Sequence, residues 1–463
     1  MLRDVTSETA ETDMQTVLKN TSCINADFSN PLKPKVNWSN LLSASDPVIT
    51  DRQKQIHKKS LLLSNGLTSA YISFSGNKDK KLTFKLHRTY IQTENTQQYL
   101  KSSHIGSIMI CPKGNITALN MRLVIWNAQA EGKIITDRGS VFWYSFIEKE
   151  TDTLILKTLA SGNEKGIRAA FKPAGNIYES EKDHFKSPVT PGCVNKKITD
   201  KITIGNYSAA DGAGGTSAFF TMRGVCKKEK IYIFAARRND KQNKRQTPIR
   251  EILYNNAVNA IINSLKTGTG RIKKHHYALW HNYLSDSILT IPENPDSEQI
   301  YWLEKYKKGI SNLLTQTLHI SQGEINNYIH TLLDDANLYN SASKGNVPVQ
   351  YNYQSCIDKM VISSHDRTVH IFPQIIFDNI VFDRFKLNNL KSLRFSAQMQ
   401  KGKTCWIKIH SNETADLILK TDMNKFKASG CRNCSVQRLK DSSESVRFKI
   451  RIPAGKTLFL KAV

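Results

Sequence analysis

The residues best suited to chemistry lie between His275 and His365. Asp335 stands in "LLDDANLYNSASKGN", followed by Ala336 and Asn337. A positioned carboxyl group can give or take a proton in a transition state. On its residues alone Asp335 reads as a helix-terminal acid. Glu298, Glu304 and Glu324 fall on amphipathic helical stretches and are expected on solvated faces. Trp280, Tyr301 and Trp302 offer rings that can stack on a pyranose, although aromatic residues at helical spacing also build core. His365, in "SSHD", can hydrogen-bond a sugar hydroxyl or pack between domains.

Other motifs point away from cofactors. Of eight Cys, only Cys431 and Cys434 form a CxxC pair. A zinc site needs a second pair or nearby His ligands, and neither follows. A loop carrying two free or mutually bridged thiols is the simpler reading. "DGAGG", Asp211 to Gly215, opens no strand–helix nucleotide pattern. There is no HExxH, Walker loop or GxSxG. No cofactor and no metal are expected.

The charge is strongly one-sided: 66 Lys plus Arg against 40 Asp plus Glu, net +26. Such a balance favours contact with polyanions and says nothing about fold. The densest runs are "RRNDKQNKR" (Arg237 to Arg245) and "RIKKHH" (Arg271 to His276). They read as a solvated loop and a helix approach, or as an anion patch. No run approaches the roughly 20 apolar residues that span a bilayer. The first residues lack the apolar core of a signal peptide, whereas N-x-S/T sequons at Asn20, Asn37, Asn115, Asn206, Asn412 and Asn433 lean toward secretion.

The elements that must position these residues change along the chain. Residues 1–50 are polar and aperiodic and read as a loosely attached or disordered arm. Residues 51–245 form a succession of strands with turn signals at "TDRGS" and "EKETDT", a large antiparallel β-sandwich. Met121, Leu123 and Ile125 alternate with Arg122, Val124 and Trp126, as on a strand with two unlike faces. Residues 246–340 turn helical. Ile252, Leu253, Ala257, Ala260, Ile261 and Leu265 fall at three- and four-residue spacings, and Gly268 and Gly270 stop the helix. Pro292 and Pro295 enforce an extended break, after which Asp296 and Gln299 are placed to cap a helix reciprocally. A third helical piece is expected over about Glu324 to Leu333. Residues 341–463 return to strands, with a hairpin about Lys401 and Gly402, as a small β-domain. The fold class is mainly β with a helical middle.

Local sequences sharpen this order. "HHYALWHNYLSDSILTIPENPDSEQIYWLEKYKKG", His275 to Gly309, resembles the linker of glycoside hydrolase family ninety-five, the fucosidase and galactosidase family. "MVISSHDRTVHIFP" resembles the segment where that family's (α/α)6 barrel ends. "FDRFKLNNLKSLRFSAQMQKGKTCWIKIHS" and "LNMRLVIWNAQAEGKIITDRGSVFWYSF" are similar to its C-terminal and N-terminal β patterns. The resemblance implies a supersandwich, linker helices, a helical barrel and a small β-sandwich. It implies hydrolysis of glycosides by two carboxyl groups about 6.5–9.5 Å apart, with inversion, and an oligosaccharide ligand. Relatives are often secreted or periplasmic. By the resemblance Asp335 would correspond to the family's Asp-Ala-Asn loop and be the candidate catalytic residue, and His365 would correspond to its Ser-His and, with Trp280 and Trp302, be expected to bind substrate.

The departures are specific. Ser363 stands where the family has Gln, and Asn388–Asn389 or Lys391–Ser392 replace its Arg-Ala. No residue matches its general-acid Glu. The interval from His275 to His365 holds three or four helices at about 11 residues each, so most of the barrel is missing and catalysis is expected to be weak or absent. Linker helices without a barrel would expose apolar surface, which predicts association into homo-oligomers. A carbohydrate-binding or structural β-protein is the alternative, and a polyanion-binding basic protein a weaker one.

Overall fold

A computed structural model describes residues 26–28, 30–50, 60–75, 81–94, 97–173, 202–208, 214–223, 228–238, 247–318, 325, 328, 359, 361–374, 377–430, 433–439 and 446–463. It is mainly β, in several antiparallel sheets, with a small helical region. Its contacts divide the chain into two units. The larger comprises Asp46–His281 and Tyr306–Gly345; the smaller comprises Met1–Ser45, Asn282–Lys305 and Asn346–Val463.

The larger unit is a β-sandwich. One sheet has eight strands, in the order Ile202–Ser208, Gly214–Arg223, Glu229–Arg238, Thr153–Ala160, Gly139–Ile147, Gln129–Thr136, Ile116–Val124 and Val48–Thr50. The other has five: Ala169–Pro173, Gln97–Ile110, Lys81–Glu94, Thr68–Ser75 and Ser60–Ser64. All neighbours are antiparallel. Period-two alternation sends Leu82, Phe84 and Leu86 inward. Phe84 meets Trp143 of the facing sheet edge-on, ring centroids 5.4 Å apart. Met121 and Leu123 are buried while Arg122 turns outward, but the expected alternation stops there: Val124 is also buried, and the strand gives way to a 3-10 turn at Ile125–Asn127.

Two helices cover the outer face of the eight-stranded sheet. The first, α2 (Thr247–Thr267), packs Ala257, Val258, Ile261 and Ile262 on Ile231, Ile233 and Ala235. The chain turns at Gly268 (φ +82°), where the glycine pair was expected to stop it. Next, α3 (Thr269–Leu284) lays Ile272 on Phe146 and Ile155. After the extended "ILTIPENP" segment, α4 covers Pro295–Thr317. Its cap is Asn294, whose Oδ1 accepts from Ser297 N at 2.9 Å, and not Asp296 as predicted. Pro295 decides this, because its fixed φ and missing N–H suit the first helical position. Gln299 donates instead to Ser45 O. Of the third helical piece, Ile325 and Tyr328 are described, both helical and buried.

The smaller unit is a second sandwich. Its six-stranded sheet runs Ile288–Thr290, Ile380–Leu387, Leu390–Gln400, Lys403–Ser411, Lys456–Ala462 and Phe426–Ser429. Its five-stranded sheet runs Ile362–His365, Thr368–Ile371, Ala415–Thr421, Val446–Ile452 and Ser435–Arg438. Phe426 and Phe448 meet between the sheets with centroids 4.8 Å apart. Lys401 and Gly402 form the predicted hairpin, both at positive φ.

The described part of residues 1–50 is not a loose arm. Ala26–Asp27 pairs with Lys35–Val36, and Phe28 packs on Trp406. The helix α1 (Trp38–Ser43) buries Leu41 and Leu42, and Val48–Thr50 joins the eight-stranded sheet beside Ile116–Val124. The buried side chains of Leu41, Leu42 and Ile49 in an otherwise polar stretch are what fix it. Among the described residues no helix is long and apolar enough to cross a membrane.

Candidate functional site

Of the four residues expected at a site, Asp335 lies outside the described residues. Of the other three, two are buried and one is exposed. Trp280, on α3 in the larger unit, is 2% exposed, with Tyr306 at 5.0 Å between ring centroids. Trp302, on α4 in the smaller unit, is 0% exposed; Trp38 and Tyr301 meet it edge-on at 6.3 and 5.2 Å. Neither indole face is open to a ligand. His365 is the reverse case. It ends the strand Ile362–His365 at a two-residue turn, its side chain 95% exposed and 3.6 Å from the Asp366 carboxylate. Asn389, at one of the departures from the family pattern, fastens this hairpin. Its Oδ1 accepts from Ser364 Oγ at 2.7 Å and its Nδ2 donates to Asp366 O at 2.7 Å.

The expected exposure of the linker aromatics is likewise not found. Tyr301, Trp302 and Tyr306 are all buried. The large apolar side chains that are exposed among the described residues, such as Leu32, Tyr99, Ile135 and Ile252, are scattered singly along the chain. The sandwiches receive the rings that were assigned to a barrel.

The carboxyl group best prepared for proton transfer is Glu298, in the first turn of α4. The extended segment before the helix folds back so that Ile291 N donates to Glu298 Oε2 at 2.8 Å. Burial pushes its pKa up from 4.5 to about 7, against the opposing pull of the Ile291 N–H and the Trp302 indole. A carboxyl group poised near neutrality can serve as a general acid or base. The sequence placed Glu298 on a solvated face; the readable signal was Trp302 one turn later, which shields it. Glu304 is also buried, against the same expectation. Nearby, Lys305 Nζ donates to Leu284 O, Ser287 O and Ser287 Oγ at 2.8, 2.6 and 2.9 Å. Although burial pushes Asp286 up, Lys386 and Arg394 hold it below the usual carboxylate range. Asp286 is therefore an ionised anchor and not a partner acid. Among the described residues of the smaller unit, no second carboxyl shares Glu298's upward shift.

In the larger unit, polar side chains collect under α3. Tyr277 donates to Gln129 Oε1 at 2.6 Å, Gln129 to Glu131 Oε2 at 2.9 Å, and Arg122 to Glu131 Oε1. Lys273 stands 4.1 Å over the Tyr144 ring, its pKa lowered by burial. His276 Nε2 faces two acceptors, Asn127 O and Ala128 O, so it carries the proton; burial lowers the ring's pKa to about 4. His281 stacks on Trp126 at 4.0 Å. Each polar group has its partner inside the unit, which is what holding a helix on a sheet requires.

Glu148, Glu150 and His275 lie close enough to hold a metal ion. Both Glu148 oxygens are already occupied. Oε1 accepts from Glu150 N, and Oε2 from Thr151 N and Thr151 Oγ1. Glu150 and His275 are more than half exposed. The group fits a hairpin brace better than a metal centre.

No protein-family model matches the sequence, and no curated protein matches it. Among solved structures, one described as "Putative kojibiose phosphorylase from human microbiome" is 10% identical, with a TM-score of 0.36 over 57% of this chain. This chain spans 39% of that one. A likeness so slight carries no argument about chemistry.

Proposed function

We propose that this chain is a glycosidase-like protein, related to the fucosidase-type glycoside hydrolases, that keeps a carbohydrate-handling frame and has lost hydrolysis. The reading is supported by the order of its parts. A large sandwich, two helices, an extended "IP" segment, a helix, a hairpin and a small sandwich follow one another along the chain, in the sequence that the resemblance implies. The observation that carries the loss of hydrolysis is length. α4 ends at Thr317 and the hairpin strand starts at Ile362. A twelve-helix barrel needs on the order of 130 residues before any loops. Two opposed carboxyl groups on such a barrel have nowhere to stand.

The test is turnover. Purified protein is incubated with fluorogenic α-L-fucosides, α-L- and β-galactosides, α-rhamnosides and 2′-fucosyllactose, with Glu298→Gln in parallel. Both proteins are expected to release nothing above the blank. Release by the wild type that vanishes in Glu298→Gln would restore Glu298 as a general acid and overturn the loss of hydrolysis.

A further inference from the structure

The five-stranded sheet of the larger unit carries two imidazoles side by side, turned away from the sandwich core. Leu86 pairs with Gly106, and regular pairing would then set His87 against Ile105, whose side chain is buried. A register shift skips Ile105 and brings His104 opposite His87 instead. Gly106 permits the shift: its φ is +146°, and a Cβ there would stand 2.7 Å from the Phe171 ring. Bulges of this kind re-aim side chains and are over-represented beside functional sites. The two rings lie 5.4 Å apart between centroids, tilted at 46°. His104 is exposed and His87 half-buried, with Tyr71 edge-on to His87 at 5.0 Å.

Each ring is anchored through one nitrogen. His87 Nδ1 is 3.1 Å from Ser102 Oγ, and His104 Nε2 is 3.2 Å from Ser107 Oγ. A hydroxyl accepts as well as donates. Both rings can therefore point a proton at a serine and keep a lone pair on the other nitrogen, Nε2 of His87 and Nδ1 of His104. Burial holds both rings neutral near pH 7, helped by the Lys85 ammonium and, at His104, opposed by the Gly106 carbonyl. A neutral ring with one nitrogen tied to an outer partner is the form in which histidine binds a metal. Zinc–imidazole bonds are about 2.0–2.1 Å long, so two rings at a tetrahedral angle round one ion have centroids roughly 5.2 Å apart. The pair already stands close to that spacing. The Glu148 group differs, because N–H groups of its own hairpin take up both carboxylate oxygens.

We propose that His87 and His104 together bind a divalent transition metal ion, Cu2+ ahead of Zn2+, with water completing its shell. Imidazole suits these ions, and Cu2+ stands above Zn2+ at a given nitrogen site. Ca2+ and Mg2+ take oxygen ligands and are not expected here. Lys85, exposed on the same strand, opposes a cation and limits the affinity. No spacing in the sequence marks the pair, because strand register and a bulge join it. The site stands apart from the glycosidase-like reading and does not rest on it.

The test uses the full, untagged chain, freed of metal with a chelator and titrated with Cu2+ and separately with Zn2+ near neutral pH. Calorimetry gives the affinity, and electron paramagnetic resonance of the Cu2+ form counts its nitrogen ligands. Wild type is expected to take one Cu2+ with micromolar or tighter affinity and two nitrogen ligands, and to hold Zn2+ more weakly. His104→Gln, at an exposed position, should bind Cu2+ at least about 10-fold more weakly and leave one nitrogen on the ion. His87→Gln should do the same. Lys85→Gln removes the opposing charge and should tighten binding by roughly 3–10-fold. His275→Gln, in the group with Glu148 and Glu150, is the control and should match wild type. Cu2+ held equally well by wild type and His104→Gln would put the ion on other histidines and overturn the site. Loss of binding in His275→Gln, or no binding by wild type, would overturn it too. Lys85→Gln binding no tighter than wild type would place the ion away from this strand, with the same consequence.

Discussion

Glu298 shows how one side chain acquires chemistry from its neighbours. Its pKa near 7 in the fold exceeds its ordinary 4.5, so the folded state holds a proton that the unfolded chain gives up. Its contribution to stability is therefore fully present below pH 4.5 and is lost as pH rises through 7. Glu298→Gln keeps an acceptor for Ile291 N–H and cannot ionise. At pH 8 the variant should be more stable than wild type by on the order of 1–2 kcal/mol, after allowing for the side chain's partial exposure. At pH 4.5 the two should coincide. Urea unfolding at both pH values reads this directly, and a variant no more stable at pH 8 would mean that the carboxylate is well solvated. The sequence could not supply this residue's role, because its upward shift comes from burial that only the folded chain creates, against the pull of a backbone N–H seven residues earlier and an indole one turn later. Asp335 and His365 were chosen by motif. His365 is exposed at a hairpin, beside Asp366, and Asp335 lies outside the described residues.

At the level of elements, alternation and turn chemistry were legible, while caps and close approaches were not. The strands about Met121, the hairpin at Lys401 and Gly402, and the helix stop at Gly268 follow from local rules. The cap at Asn294 was missed because two acceptable capping residues compete and Pro295 chooses between them. Gly66 is a feature that no local rule marks. It has φ +93°, and a Cβ there would stand 2.9 Å from the Cβ of Leu314, on α4. Around it Asn65 Oδ1 accepts from Leu67 N and Thr68 N, and Thr89 Oγ1 donates to Gly66 O at 2.6 Å. Gly268 has a similar φ of +82° but nothing within 4 Å of the added atom. Gly268→Ala should cost about 1 kcal/mol, the backbone strain alone. Gly66→Ala adds overpacking against a helix and should cost about 2–4 kcal/mol. Urea unfolding of the two variants side by side tests the difference. Equal costs would show that α4 yields easily where it passes this turn.

Over the whole molecule, acid acts unevenly on the two units. In the larger one, burial lowers His87 and His276 to about 4, and His104 and His281 shift the same way. Each stays neutral in the fold but charges in the unfolded chain below its ordinary 6.5. Their stabilising contribution is complete above pH 6.5 and is lost as pH falls toward 4. Asp46 in the larger unit, also raised by burial, has the opposite sign but stands against four histidines; in the smaller unit Glu298 has that sign over much of the range and offsets the lowered His370. The first calorimetric transition at pH 5 should therefore belong to the larger unit and lie several degrees below its position at pH 7.5. His276→Gln retains a donor for Asn127 O and removes one of the two histidines lowered to about 4, so it should recover a clear part of that drop. If the Tm of His276→Gln falls with pH as steeply as that of wild type, the imidazole is already charged in the fold. In that case the polar clamp holding α3 on the sheet would have to contain an anion close to it, and Glu148, whose charge already favours protonation of His276, would be the first to replace.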